Sequence, residues 1–240
     1  IATNILQNLS GMINTIFVGQ MMGVDAIAAV SVFFPILFFL LAFVIGISAG
    51  TTVLVGQAWG AQNLEKVRCV IGSTLFMTLI GGSVIEVLGV MMAEPMMKLL
   101  GTDAKVMHLS LPYVQWMLAG SPLLFVYIIY TSILRGVGDS VTPLIALSLT
   151  SLIGLAVTPV LLKGYFGFPA LGIVAPAIAT ILGYAAVLIF LGFYLNYKNH
   201  PLKIDARLLQ SIRHDATLSK LILKLGIPTG IQMVTTSLAG

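Results

Sequence analysis

Apolar runs long enough to cross a bilayer follow one another along almost the whole chain, separated by short polar joints. A helix rises about 1.5 Å per residue, so crossing ~30 Å of hydrocarbon takes roughly 20 apolar residues. Six runs meet that length, near residues 1–22, 26–59, 67–92, 109–134, 142–162 and 170–194, and a seventh starts near Leu221. In lipid every backbone N–H and C=O must be paired internally, which for runs of this length means a helix. Only 8% of the residues are charged, against about 25% in a soluble domain, too few to cover a water-facing surface. The expected fold is all-α: a polytopic membrane bundle of six transmembrane helices plus the start of a seventh.

The joints are polar or turn-forming: Gly23-Val24-Asp25, Gly60-Ala61-Gln62-Asn63, Arg135-Gly136-Val137-Gly138-Asp139, and the turn from Gly164 to Pro169. The longest polar stretch, 196–220, places Leu208, Leu209 and Ile212 at helical spacing among charges. It is expected to be a cytoplasmic, interfacial amphipathic linker. Residues 1–195 then form one six-helix lobe and 221–240 the truncated start of another. Alternate joints lie on one side of the membrane. Nine of the 12 Lys and Arg residues fall on the linker's side, and Lys98, Lys105 and Lys163 on the other. The positive-inside bias puts the linker, and with it the N-terminus, in the cytoplasm. The chain opens at Ile1 without a basic leader region and its last apolar run stops at Gly240, so it is expected to be trimmed at both ends.

Several chemistries have no footing in this sequence. The single cysteine, Cys69, excludes an internal disulfide framework. No phosphate-binding loop ending in Lys-Ser/Thr, no His-Glu-x-x-His pair and no nucleophile elbow occurs, so neither an enzyme nor a bound cofactor is expected. His108, His200 and His214 fall in or near joints and are expected to be solvated.

Polar side chains inside the runs carry more information, because lipid penalises them. In the first run Asn4, Gln7, Ser10, Gly11 and Asn14 share one face, either a cavity wall that meets substrate or interhelical hydrogen-bond glue. Glu86 is the one acid deep in a run. It either takes up a proton in coupling, or snorkels outward or pairs with Lys98 or Lys105. Tyr127 and Tyr130 either line a cavity, where a ring can stack on a flat cation, or belong to an interfacial belt. Gln57 caps a helix end or faces a site. Pro35, Pro122, Pro159, Pro176 and Pro228 lie in the runs, where each removes a hydrogen bond and favours a kink.

Four blocks, taken in order and spacing, resemble the multidrug and toxic compound extrusion (MATE) transporters. They are Ile13–Gly19, Gly46–Ala61, Glu94–Asp103 with Pro112-Tyr113, and Leu134–Asp139 with Thr142-Pro143. Ala170-Leu171-Gly172 with Ala179-Thr180 adds to them. The resemblance implies a twelve-helix, two-lobe secondary transporter in a bacterial inner membrane, with this chain as its N-lobe and the C-terminal lobe of the same chain as partner. It implies export of small cationic or amphipathic organic compounds in exchange for H+ or Na+, and makes Thr180 a further cavity-lining candidate beside Gln7, Ser10, Asn14 and Tyr127. A lipid-linked oligosaccharide flippase of the same superfamily, or a non-transporting membrane component, stands as the alternative. The chain departs from the family where members often carry an aspartate in helix one, here Asn14. It departs again at an Asn-x-x-x-Asp pair before a proline in helix five, here Gly154 and Thr158 before Pro159. Asn14, whose carbonyl can ligate a cation, and Glu86 are therefore the ion-coupling candidates.

Overall fold

The computed structural model describes residues 29–164, 170–198, 202, 211–212 and 215–239. Seven α-helices occur among them: α1 Phe33–Gly60, α2 Leu64–Leu99, α3 Ala104–Ala119, α4 Ser121–Gly136, α5 Val141–Lys163, α6 Ala175–Tyr197 and α7 Ala216–Ala239. A short 3-10 turn, Gly172–Val174, leads into α6. Four spans, Ala29–Gly60, α2, α5 and Gly172–Tyr197, are each long and apolar enough to cross a membrane. The pair α3 and α4 makes a fifth when taken as one bent span. Large apolar side chains point outward from these spans, Met91 at 75%, Phe193 at 74%, Phe39 at 67% and Leu152 at 64% exposure, a surface unsuited to water. The chain is a polytopic helical membrane protein. The expected first span lies outside the described residues, as do Leu208 and Leu209 of the linker.

Three features differ from expectation. The fourth run is one apolar segment in sequence but two helices in space, bent by 47° between α3 and α4. Pro122 cannot donate to the carbonyl four residues back, and Gly120 brings the turn so close to Ile181 that a Cβ there would overlap that side chain. The block from Glu94 to Asp103, expected as a joint, is helical as far as Leu99. Pro95 frees only one carbonyl, and the helix runs on to a glycine stop at Gly101, φ 72°. Finally, Pro176 falls in the first turn of α6, where a missing N–H has no partner to lose, so it starts a helix instead of kinking one; Pro35 by contrast follows a break at Val32 in a span that is already helical at Ala29, as a kink requires.

Three joints use the same stop. Asn63 N–H reaches Ala58 O and Gln62 N–H reaches Trp59 O; Thr102 and Gly101 repeat the pattern on Met97 and Lys98, and Asp139 and Gly138 on Leu134 and Arg135. This is the Schellman closure, which needs one residue at positive φ. Gly101 and Gly138 supply it without strain, and Gln62 supplies it at 55°. An N-cap follows at once in two of the three: Asn63 Oδ1 accepts from Lys66 N–H at 2.9 Å, and Asp139 Oδ1 accepts from Val141 and Thr142 N–H at 3.1 and 3.0 Å. Asp215 caps α7 in the same way.

The chain divides into two compact units. Of the described residues, those within 1–36, 84–123 and 144–187 form the first and those within 37–83, 124–143 and 188–240 the second. In the first, Leu161 and Leu162 of α5 pack with Ala175 of α6, with Val157, Leu171 and Ile178 against them. Phe33 meets Tyr113 edge-on at 5.9 Å. In the second, Leu40, Val44, Ile71, Phe125, Ile129, Ile133, Leu191 and Ile222 are fully or almost fully buried.

Candidate functional site

Most of α1 lies in the second unit, where its 3.6-residue period turns a different set of small and hydroxyl residues toward each neighbour. One face carries Ser48, Thr52 and Gly56 against α4. Ser48 Oγ donates to Ser132 Oγ at 2.6 Å and Thr52 Oγ1 to Ser132 O at 3.3 Å. A Cβ on Gly56 would stand 3.2 Å from Gly136 O, and one on Gly136 3.1 Å from Thr52 O. A second face carries Thr51, whose hydroxyl lies 3.0 Å from that of Thr74 in α2. Arg135 Nη2 closes the α4 side, donating to Ser132 Oγ at 2.7 Å. Two of the resembling blocks, Gly46–Ala61 and Leu134–Asp139, thus meet across one seam, and their small residues let the two backbones approach. The hydroxyl and glycine spacing in α1 was visible in the sequence. What it did not reveal was the partner, Ser132.

Tyr130, read from sequence as an interfacial or lining residue, is buried, and its hydroxyl donates to Leu202 O at 2.8 Å. Leu202 is itself only 3% exposed. Further along, Ser211 Oγ donates to Arg68 O at 3.1 Å. Ser211's backbone sits so close over Gly72 that a side chain at 72 would overlap it. The stretch after α6 is therefore held at two points to α4 and α2. Tyr127 is buried in the same unit.

The first unit holds the remaining candidates. Glu86 is half-buried in α2, and because the helix continues to Leu99 it lies 13 residues, about 20 Å, from the helix end. Lys98, one of its two proposed ion-pair partners, is bonded instead to Glu94 one turn away at 2.6 Å. Thr180 is half-buried, and its hydroxyl donates to Pro176 O in its own helix at 2.7 Å. Thr158 is 1% exposed, and its Oγ1 has no hydrogen-bond partner. One turn earlier on the same face, Gly154 is buried, and a Cβ there would meet none of the described residues within 4 Å. An unpaired buried hydroxyl costs about 1–3 kcal/mol, so Thr158 marks a place where a polar group fits. Gln7, Ser10 and Asn14 lie outside the described residues.

A multi-span helical bundle with buried hydroxyl seams and few internal charges has the build of a membrane transporter. The MatE family pattern matches residues 1–160, and the chain belongs to that family of MATE transporters. It is 40% identical over 237 residues to a probable multidrug resistance protein, YoeA, of Bacillus subtilis, an alignment covering 99% of this chain and 51% of that protein. It is 30% identical over 190 residues to an FAD transporter of Shewanella oneidensis, covering 79% and 42%. Among solved structures, a MATE protein in a straight conformation superposes with a TM-score of 0.86 at 26% identity, covering 99% of this chain and 52% of that one. The chain spans about half the length of the relatives it matches.

Proposed function

We propose that the chain is the N-terminal lobe of a secondary active exporter that moves cationic or amphipathic organic compounds out of a bacterial cell by alternating access, in exchange for H+ or Na+. The observation that carries this is family membership over two thirds of the chain, together with a relative of 40% identity described as a multidrug resistance protein. On this proposal residues 1–195 are the lobe, 196–220 the cytoplasmic linker and 221–240 the start of the C-terminal lobe, with the N-terminus in the cytoplasm. The proposed linker overlaps the last two residues of α6, which ends at Tyr197, and the first five of α7, which starts at Ala216. No cofactor is needed, since the ion gradient supplies the energy.

The coupling chemistry is placed unusually. Gly154 and Thr158 occupy the helix-five positions where family members often carry an amide and a carboxylate, so neither holds a charge to exchange. Glu86, within a membrane span, is the described acid best placed to carry a proton, with Asn14 as the matching helix-one candidate. The pocket wall is assigned to Gln7, Ser10, Asn14, Tyr127 and Thr180. A second substrate class is favoured by one specific observation, the FAD transporter relative, which would make the cargo an anionic dinucleotide.

The test uses the full-length protein in cells stripped of their own exporters. Efflux of a fluorescent cationic dye, and separately of FAD, is followed while the proton and sodium gradients are collapsed one at a time. Dye efflux that stops with one gradient names the ion and supports the drug-exporter assignment. FAD efflux without dye efflux replaces it with the dinucleotide. No movement of either by protein present in the membrane rejects both.

A further inference from the structure

Glu86, the acid deep in α2, sits on the inward face of its helix. Glu86, Gly89, Ala93 and Met97 recur at helical spacing and form one stripe. Ala93 and Met97 on that stripe are fully buried, while Val84, Leu88 and Met91 on the opposite face are half or more exposed. The stripe packs on α3: a Cβ on Gly89 would stand 3.1 Å from Leu118 Cδ2, and Leu118 is itself buried. The short joint at Gly101 makes α2 and α3 antiparallel. Glu86 lies three residues before Gly89 and Ser121 three after Leu118, so both are displaced from that contact in the same direction, by about 4.5 Å. A helical side chain also leans toward its own N-terminus, which carries the Glu86 carboxylate further from Gly101, toward the break between α3 and α4. All of these residues belong to the first unit.

Two oxygens are left over at that break. Ser121 is fully buried and its Oγ has no hydrogen-bond partner. Pro122 has no N–H, so Leu118 O lacks the donor that a continuous helix would give it. Gly120 N–H still reaches Trp116 O at 2.9 Å, which closes the last turn of α3 just before the gap. Ile181 of α6 walls the other side against Gly120. The charged and titratable residues toward the Gly101 joint, Glu94 and Lys98 of α2, Asp103, and Lys105 and His108 of α3, sit about two or more turns away, and Lys98 is bonded to Glu94. The other ionisable groups on the packed elements, Tyr113 of α3 and Tyr184 of α6, are phenols without charge near pH 7. These helices therefore bring no positive side chain to the level of Glu86.

A carboxylate, a hydroxyl and a carbonyl at an interrupted helix are an all-oxygen donor set, the kind that binds small hard cations. The charge count sets the valence. One carboxylate balances one positive charge, and a surplus charge within the membrane is costly, so a monovalent ion fits and a divalent one does not. We propose that the α3–α4 break is a site for one monovalent metal cation, Na+, held by the Glu86 carboxylate, the Ser121 hydroxyl and the Leu118 carbonyl. It uses none of the helix-one and helix-five positions Asn14, Gly154 and Thr158. That the bound ion drives export rests on the exporter assignment; the site itself rests on the three oxygens.

The probe is Na+, titrated against choline at constant ionic strength and pH into the purified full-length protein in detergent, with thermal unfolding as the readout. The parent gains stability with Na+ and saturates. Ser121→Ala removes one ligand, and Pro122→Ala gives Leu118 O a helical N–H and so takes away another. Both variants are as stable as the parent or slightly more so in choline, yet need several times more Na+ for the same gain, a combination that loss of packing would not give. Glu86→Gln removes the gain assigned to this site. A Na+ response that all three variants keep unchanged, or none in the parent, overturns the proposal. So does a loss confined to Glu86→Gln, since the break then supplies no ligand, and so does a response to pH with none to Na+, which leaves Glu86 as a proton carrier. Dye efflux from proteoliposomes of the same proteins separates this from the exporter assignment. Na+ binding that depends on Ser121 without any efflux keeps the site and removes the exporter; efflux with a Na+ response indifferent to the three substitutions does the reverse.

Discussion

A single aspartate shows how much a family motif can owe to local backbone chemistry. Asp139 follows the glycine stop of α4 and starts α5. Its Oδ1 accepts two N–H groups, and its Oδ2 accepts the Thr142 hydroxyl at 2.6 Å. Those N–H groups have no helical acceptor of their own, and the carboxylate also complements the helix N-terminus. Asp139→Ala is expected to cost about 1 kcal/mol, with Asp139→Asn recovering most of it, read as the shift in thermal unfolding of the purified full-length protein in detergent. Equal stability of all three forms would show that the cap is idle. The Arg-Gly-Val-Gly-Asp joint thus explains itself residue by residue: Arg135 bonds Ser132, Gly136 admits Thr52, Gly138 takes positive φ, and Asp139 caps. A sequence shows such residues clearly, because turn chemistry is local.

At the scale of the element, what was legible was whatever depends on neighbours in sequence. Spans α1, α2, α5 and α6 fall where hydropathy puts them, since lipid selects on the run itself. Their ends were less legible. Glu94, Pro95 and Lys98 dilute the apolar run before α2 ends, but a helix ends where its backbone finds a stop, here Gly101, just after Leu99 and Leu100. The break between α3 and α4 was hidden for the same reason, since Gly120-Ser121-Pro122 interrupts the backbone without interrupting the apolar run. Least legible was the linker. Nothing in the spacing of Tyr130 says that its hydroxyl reaches a carbonyl 72 positions away. That contact predicts that Tyr130→Phe, which removes this one hydrogen bond, loosens the attachment of the stretch after α6 by about 1 kcal/mol. Limited proteolysis of the full-length protein in membranes should then cut within 196–215 several times faster than in the parent. An unchanged cleavage rate would mean that the other attachment, at Ser211, suffices alone.

For the whole molecule, pairings across the bundle decide function, and these the sequence left open. Small residues in α1 announce close neighbours without naming them, and only the fold assigns Ser48 to α4, Thr51 to α2 and Gly46 to α7. The coupling question has the same form. In the sequence Glu86 is the one acid deep in a run, with Lys98 as one of two candidate ion-pair partners. The longer α2 and the Glu94–Lys98 pair leave it about 20 Å from the helix end without this partner. Thr158, in the same unit, is buried and neutral, suited to hold a polar group and unable to carry charge. These two residues therefore separate coupling from binding. Glu86→Gln keeps shape and hydrogen bonding but cannot exchange a proton. If Glu86 couples, this variant should still bind dye while its efflux falls tenfold or more and loses its dependence on the pH gradient. Thr158→Val keeps shape and removes only the unpaired hydroxyl. It should leave thermal stability equal or slightly higher, keep the gradient dependence, and raise the dye concentration needed for half-maximal efflux if the hydroxyl faces cargo. Dye efflux from proteoliposomes across a series of imposed pH gradients, with binding measured on the same samples, reads both variants. Unaltered gradient dependence in Glu86→Gln moves coupling to Asn14 or to the second lobe. Unaltered half-saturation in Thr158→Val makes the unpaired Thr158 hydroxyl a packing defect with no part in transport.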